Sequence, residues 1–259
     1  MNLLFPVTGS ISGGVFIGKG FSIAAGKTEV SPLTMPNENT AIILIIGQST
    51  AANICNSAYT PLNAKVHNLN IHNGAMYRAV DPLLGPDGLN GNWATELGDK
   101  LITAGTYDRV ILVPIAISGS NADEWGSGVC HHRVACAINR LFAFGMTPTF
   151  VLYQQGESEQ IDGISKATYK TGVNNTIATL RGLGVEAPIF VAKATKVNGV
   201  VSSTIQEEQA ELVDNPNGIY AGADTDSLDG SYRFDGTHWN ATGRAAVATL
   251  WQNVLTPFA

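Results

Sequence analysis

Four continuous apolar runs constrain the fold of this chain more than any other feature of its sequence. They are AIILIIG at 41–47, RVILVPIAI at 109–117, TPTFVLYQ at 147–154 and APIFVAKA at 187–194. Runs that lack a regular apolar–polar alternation are typical of parallel strands that are covered by helices on both faces. We therefore expect these runs to form the buried strands of a largely parallel sheet.

Stretches with helical spacing lie between and after these runs. Apolar side chains recur every three or four positions in four groups: Trp93, Leu97 and Leu101; Val134, Ile138, Leu141 and Phe142; Tyr169, Val173, Ile177 and Leu180; and Val247, Leu250, Trp251 and Val254. Stripes of this kind pack against a core. Strands and helices in alternation predict an α/β fold, a three-layer α/β/α sandwich with a mainly parallel sheet.

The composition divides the chain into two parts. Residues 1–38 are rich in Gly, Ser, Thr and Pro and predict a β-rich or extended N-terminal segment, whereas residues 39–259 predict one domain. Such a segment is also compatible with a chain that belongs to a secreted or particle-borne assembly. The chain has three cysteines, an odd number, and we expect free thiols.

Charge and hydropathy argue against several classes of partner. The net charge is -6 and the 15 basic residues are scattered, so we expect no nucleic-acid partner. No apolar stretch reaches the ~18 residues of a membrane span, and we expect no membrane partner. The start, MNLLFPVTGS, lacks the charged n-region of a signal peptide. No sequence feature indicates an oligomeric state.

Polar residues and glycines cluster where the predicted strands end, and ligands of such sheets bind beyond the carboxyl ends of the strands. The clusters are Gly47-Gln48-Ser49, ISGSNADEW at 117–125, YQQGESE at 153–159 and, before the last helical stretch, FDGTHWNATGR at 234–244. A serine becomes a nucleophile when a histidine removes its proton and a carboxylate orients that histidine. Ser49, His238 and Asp235 are therefore a candidate catalytic triad.

Acyl transfer also needs hydrogen-bond donors that face the developing oxyanion. The backbone N–H groups of Ser49 and Gly119 are candidates, and the side-chain amide of Gln155 is a third. The small residues at 50–52 that follow the serine are compatible with a tight acyl pocket.

The same four stretches resemble the SGNH hydrolases, the GDSL-like esterases, and above all their carbohydrate-acetylesterase branch related to sialate O-acetylesterases. The matching stretches are Gly47-Gln48-Ser49, PIAISGSNADEW at 114–125, YQQGES at 153–158 and the pair Asp235 and His238. Three features depart from the family pattern: Ser118 replaces a glycine of the second block, and Gln48 stands where the wider superfamily has Asp, a change that this branch tolerates. In the third block, Gln155-Gly156 stands where many superfamily members have an Asn donor. The resemblance covers about residues 40–259.

The resemblance implies the flavodoxin-like SGNH hydrolase fold. It also implies Ser49 as nucleophile, His238 as base and Asp235 as the partner of the histidine. Ser49, Gly119 and Gln155 would surround the oxyanion. The implied activity is that of a metal-independent serine esterase without a cofactor, and the implied partner is an acetylated carbohydrate or another small ester.

Further residues near the strand ends are candidates for contact with substrate or for support of the site: Gln48, Asn121, Gln154, Glu157 and Trp239. Glu157 is also a rival carboxylate, for which we expect a structural role that ties the third loop together. Trp125 and Trp239 either stack on a sugar or pack in the core. His131 and His132 are adjacent and point in different directions on a helix, so we expect no metal site.

Removal of O-acetyl groups from a carbohydrate is the activity we expect, and the sugar part of that expectation rests on the resemblance alone. Two alternatives stay open: a lipase or thioesterase that acts on acyl chains, and a non-catalytic glycan-binding module on the same fold.

Overall fold

The structure of the chain is a computed structural model that describes residues 20, 22–32 and 38–259. Eight strands form one sheet in the order β1-β4-β3-β5-β2-β6-β7-β8. Their bounds are Glu29–Val30 (β1), Thr40–Gly47 (β2), Val66–Leu69 (β3), Met76–Arg78 (β4), Arg109–Pro114 (β5), Phe150–Gln154 (β6), Ile189–Lys193 (β7) and Ile219–Asp224 (β8). The pairs β1–β4 and β3–β4 are antiparallel, and the other pairs are parallel.

Seven α-helices flank the sheet in the described part of the chain. They are Trp93–Thr103 (α1), Ala122–Gly126 (α2), His131–Phe142 (α3), Glu157–Asp162 (α4), Lys166–Gly182 (α5), Ser203–Glu211 (α6) and Ala241–Leu255 (α7). Local capping explains several starts: the Asn240 side chain accepts from the Gly243 N–H at the start of α7, and Ser165 does the same for Thr168 at the start of α5.

The two faces of the sheet carry separate cores, as alternation along β2 shows. Ala41, Ile43 and Ile45 pack with α1 and α7, whereas the intervening residues 42, 44 and 46 pack with α3 and α5. Successive side chains of a strand point to opposite faces, so an unbroken apolar run serves both cores. Full burial of each such side chain contributes about 2 kcal/mol. The predicted three-layer α/β sandwich with a mainly parallel sheet is confirmed.

All four predicted strands are present; β2 begins one residue earlier than predicted, and the other three are shorter than predicted. The second run leaves the sheet after Pro114, although Ile115 and Ile117 still donate to β2 through their N–H groups. Phe142, which we expected in the core, is exposed. It lies about 80° around α3 from Val134, beyond the edge of the stripe that faces the sheet.

The predicted N-terminal segment lies partly outside the described residues, since 1–19, 21 and 33–37 are not among them. In the described part, Glu29 and Val30 pair with β4 at one edge of the sheet. The boundary at residue 38 stays a prediction.

As predicted, none of the three cysteines forms a disulfide; Cys55 and Cys130 are buried and Cys136 is half-buried. No helix among the described residues is long and apolar enough to cross a bilayer.

Candidate active site

The candidate nucleophile lies at the carboxyl end of β2, in the middle of the sheet. A Cβ atom on Gly47 would lie 2.0 Å from the carbonyl oxygen of Gln154, so only glycine lets β2 end this close to β6. The chain then turns through a short 3-10 helix, Ser49–Ala51. The N–H of Ile117 donates to the Gly47 carbonyl and brings the loop after β5 to the same point. Ser49 is thus placed where neighbouring strand ends meet.

Ser49, His238 and Asp235 form one continuous line of hydrogen bonds. The distance from Ser49 Oγ to His238 Nε2 is 2.8 Å, and that from His238 Nδ1 to Asp235 Oδ2 is 2.6 Å. Asp235 Oδ1 accepts from the backbone N–H groups of Thr237 and His238 at 3.0 and 2.7 Å. The loop before α7 therefore fixes both the carboxylate and the imidazole against a serine 189 positions earlier in the chain.

The environment of Asp235 favours its charged form. Partial burial alone would raise the pKa of this carboxyl, but hydrogen bonds from the His238 ring and from two backbone N–H groups outweigh it and hold the pKa below its ordinary value. Asp235 is therefore ionised at neutral pH. An ionised carboxylate at Nδ1 leaves Nε2 of the neutral ring as the acceptor that faces Ser49.

Two of the three predicted oxyanion donors have no hydrogen-bond acceptor inside the described part of the protein. They are the backbone N–H groups of Ser49 and Gly119. Gly119 has a φ of +73°, and no atom lies within 4 Å of where its Cβ would be, so its backbone borders open space. A cavity of about 200 Å³ starts at this loop, and its lining includes Ile117, Ser118 and Val129.

The third predicted donor, Gln155, is used elsewhere in this structure. Its Nε2 donates to the carbonyl oxygen of Ser120 at 2.6 Å and to the carboxylate of Glu159 at 2.9 and 3.1 Å. Both amide hydrogens are therefore engaged inside the protein. The buried carboxylate of Glu159, four residues further on, accounts for this orientation.

Most of the predicted supporting residues lie beneath the site. Gln154 is fully buried; its Nε2 donates to Thr50 and its Oε1 accepts from Trp251. Asn121 caps α2, and its Nδ2 donates to Asp162 at 3.0 Å. Gln48 and Glu157 are buried and bonded to each other, with Glu157 Oε2 at 2.7 Å from Gln48 Nε2.

Neither candidate tryptophan offers a ring face to a sugar, because both are buried. The Arg233 guanidinium covers the Trp239 ring at 3.9 Å, and Trp125 donates to Ser120 Oγ. Trp239 instead stabilises the turn that carries Ser49, the candidate nucleophile. The carbonyl oxygen of Thr50, next to Ser49, accepts from Trp239 Nε1, Trp93 Nε1 and Gln154 Nε2 at 3.0, 2.9 and 3.2 Å.

The small residues at 50–52 are also buried, and the two alanines belong to the core beside α1 and α7. The expectation that they shape an acyl pocket is therefore wrong.

One residue at the site was not predicted. The Phe234 ring stacks on the His238 ring, with 6.0 Å between centroids and 29° between planes, and the residue is 45% exposed. An aromatic residue directly before the Asp-Gly-Thr-His stretch was the available signal. Within the described residues, no group of three or more His, Cys, Asp or Glu is arranged to hold a metal ion.

Solved structures share this fold. A protein of Arabidopsis thaliana is 18% identical over 86% of this chain and all of its own, with a TM-score of 0.69. The structure of NanS is 14% identical over 86% of this chain and 98% of its own, with a TM-score of 0.60. A carbohydrate esterase of family 3 from Talaromyces cellulolyticus is 12% identical over 84% of this chain and 97% of its own, with a TM-score of 0.57.

Sequence comparison gives the family. No curated protein sequence matches the chain significantly. The family model described as carbohydrate esterase, sialic acid-specific acetylesterase matches residues 13–255. The match begins before residue 38 and so takes in much of the segment that we placed outside the resemblance. Because it spans nearly the whole chain, this protein belongs to the family of sialic acid-specific acetylesterases among the carbohydrate esterases.

Proposed function

We propose that the chain is a serine esterase that removes O-acetyl groups from a carbohydrate through an acetyl-serine intermediate. The observation that carries the proposal is the line of hydrogen bonds from Ser49 Oγ through His238 to Asp235, at 2.8 and 2.6 Å. Membership of an acetylesterase family supports acetyl as the acyl group and a carbohydrate as the alcohol that carries it. This arrangement supports Ser49 as the nucleophile, His238 as its base and Asp235 as the group that orients the base.

In the proposed reaction, Ser49 Oγ attacks the carbonyl carbon of the acetyl ester while His238 Nε2 takes its proton. The oxyanion that forms accepts from the N–H groups of Ser49 and Gly119. When the intermediate collapses, His238 returns the proton to the sugar oxygen, which leaves as the alcohol. A water molecule then attacks acetyl-Ser49 by the same route, and acetate is released.

The two alternatives make different demands on the site. A lipase or thioesterase needs an apolar groove for a long chain, and a non-catalytic glycan-binding module needs no aligned base. The serine–histidine contact supports catalysis over binding alone. Hydrolysis of p-nitrophenyl esters from acetate to laurate separates the enzyme alternatives, because an acetylesterase loses activity as the chain lengthens.

The direct test is acetate release from O-acetylated sialic acids and acetylated polysaccharides by the wild type and by Ser49→Ala. We expect at least about a 10⁴-fold loss of kcat in the variant, since the nucleophile acts as a unit with its base. Circular dichroism and the melting temperature confirm that the variant is folded. Equal rates in the two proteins would rule out Ser49 as the nucleophile.

A further inference from the structure

A buried group of polar side chains packs against Ser49, and Gln48 lies at its centre. The Nε2 atom of Gln48 donates to Glu157 Oε2 at 2.7 Å and to Thr50 Oγ1 at 3.2 Å. Its Oε1 atom accepts from Ser49 Oγ at 2.7 Å and from Ser158 Oγ at 3.2 Å. Gln48 is 2% exposed and Glu157 is 0% exposed, so their polar atoms depend on hydrogen bonds within the protein.

The Ser49 hydroxyl has one hydrogen and two acceptors within reach. Asp235 holds the Nδ1–H of His238, so Nε2 of the neutral ring is an acceptor 2.8 Å from Ser49 Oγ. Gln48 Oε1 is the other acceptor, at 2.7 Å. Whichever of them receives the hydrogen, the other faces a lone pair of the serine oxygen. The contact that activates Ser49 and the contact to Gln48 therefore compete.

The competition ends if the side-chain amide of Gln48 rotates so that Oε1 and Nε2 exchange positions. Nε2 then donates to Ser49 and Ser158, and the Ser49 hydrogen is left for His238. The same turn brings Gln48 Oε1 against Glu157 Oε2. Two oxygens at this distance form a hydrogen bond only when the carboxyl carries a proton. The proton on Glu157 and the direction of the Ser49 hydroxyl are thus coupled through one amide.

We propose that Glu157 is a positioning residue that acts on Ser49 through Gln48: the protonated acid lets the Ser49 hydroxyl donate to His238, and the ionised acid draws it to Gln48. This step rests on the function proposed above. Glu157 exchanges no proton with the substrate, and its protonation state sets only the orientation of the amide. In the productive orientation, Gln48 also donates to the serine oxygen as that oxygen loses its proton.

The surroundings of Glu157 let it titrate near neutral pH. Burial and the negative charge of Asp226 raise its pKa to about 7, against the lowering effects of its own backbone N–H, Arg233 and Thr50. From α5, the Tyr169 phenol also faces it, and burial together with nearby carboxylates raises the pKa of that phenol well above its usual value. Glu157 Oε1 has no hydrogen-bond partner among the described residues, which adds to the cost of its charge.

The chain contains a matched control on the same helix. Glu159 is also buried, and burial raises its pKa to about 7 as well. Its carboxylate accepts from the Gln155 amide and the Ala122 N–H, and no hydrogen bond joins it to Gln48. A pH effect that passes through Gln48 must therefore depend on Glu157 and not on Glu159.

The test is the pH profile of kcat/KM for p-nitrophenyl acetate, from about pH 5.5 to about pH 9, in the wild type, Glu157→Gln and Glu159→Gln. In the wild type, we expect kcat/KM to fall about tenfold per pH unit above about pH 7, as the protonated acid disappears. The glutamine in Glu157→Gln is neutral at every pH, so this alkaline fall should vanish. Glu159→Gln should keep the fall, whatever its absolute rate.

Superimposable alkaline limbs in the wild type and Glu157→Gln would overturn the proposal, as would loss of the limb in Glu159→Gln alone. Infrared difference spectra give a readout independent of rate. The C=O band of a protonated carboxyl that is missing in Glu157→Gln should titrate near pH 7 in the wild type, and titration near 4.5 would also overturn the proposal. If Ser49→Ala keeps its activity, the proposed esterase mechanism fails. If only the pH profiles disagree, the role of Glu157 fails alone.

Discussion

Two carboxylates are linked to the Ser49–His238 pair, Asp235 directly and Glu157 through Gln48, and their environments are opposite. The Asp235 side chain is 39% exposed and accepts three hydrogen bonds from the loop that carries it, which keeps its pKa below the ordinary value. Glu157 is fully buried, beside another acid, with one oxygen unpartnered, and its pKa is raised to about 7. Donors and burial therefore decide which carboxylate is charged.

The difference suggests a division of roles. A carboxylate that stabilises a histidine cation must be ionised at every working pH, as Asp235 is. A carboxyl that sets the orientation of an amide can be neutral, and the orientation of the amide then changes with the protonation of the carboxyl. Each of the following variants changes Asp235, Glu157 or the aromatic ring beside the Asp235–His238 pair.

The largest effect on activity is expected from substitution of Asp235, the exposed carboxylate. Asp235→Asn keeps the shape but offers an N–H to His238 Nδ1, which leaves a hydrogen on Nε2 and removes the acceptor for the Ser49 proton. We expect a loss in kcat of about a thousandfold or more. At about pH 6, Glu157→Gln should stay within about threefold of the wild type, because Glu157 is then mostly protonated. A far larger loss in Glu157→Gln than in Asp235→Asn would identify Glu157 as the partner of the histidine.

Glu157, the buried carboxylate, should dominate the dependence of folding stability on pH. The pKa of Glu157 is raised in the folded protein, so the folded state binds its proton more tightly than the unfolded chain. This stability is complete below the ordinary value near 4.5 and is lost as pH rises through about 7. On going from below to above that range, Glu157→Gln should gain stability relative to the wild type by an amount of order 3 kcal/mol. Denaturant unfolding at about pH 5 and about pH 8.5 measures the change.

The matched control for stability is Glu186→Gln, which changes an exposed glutamate. We expect the same difference from the wild type at both pH values for this variant. If Glu157→Gln gains no stability relative to the wild type on going to the higher pH, the buried carboxyl is ionised well below neutral pH.

The smallest effect is expected at Phe234, whose exposed ring stacks on His238 beside Asp235. A sugar held at Ser49 would lie near this ring, and one stacking contact is worth about 1 kcal/mol. Phe234→Ala should raise KM for the acetylated sugar about fivefold and leave kcat within about twofold. Phe258→Ala is the matched control: Phe258 is 42% exposed and packs on Phe190 and Tyr220, and its removal should leave KM unchanged.

The parts of the fold that were predictable are those in which burial requires apolar side chains. β2 and β6 have continuous apolar runs because both of their faces are covered. β3 was missed because it contains His67 and Asn68, both buried. Asn68 is tolerated there because its amide bonds to the backbone of Leu84 and to the carbonyl oxygen of Leu112, which are partners from distant parts of the chain.

The candidate site also has parts that were predictable from the sequence and parts that were not. Ser49 and the Asp235–His238 pair could be proposed from sequence because strand ends converge and because the resemblance orders the motifs. The use of the Gln155 amide could not be proposed, since it depends on Glu159 and on a carbonyl after β5. Side-chain orientation at this level follows from hydrogen-bond partners that only the assembled fold brings together.

The three N–H groups that bind the Thr50 carbonyl oxygen have a consequence for folding. Trp93 belongs to α1, Gln154 ends β6, and Trp239 lies 189 positions after Thr50. Contacts this distant in sequence form only after long loops have closed, which slows folding. The turn that presents Ser49 therefore has all three of its anchors only after the chain has been synthesised past Trp239. Esterase activity should accordingly appear late on a ribosome, and in a nascent chain that ends before Trp239 the turn that carries Ser49 should be incompletely anchored.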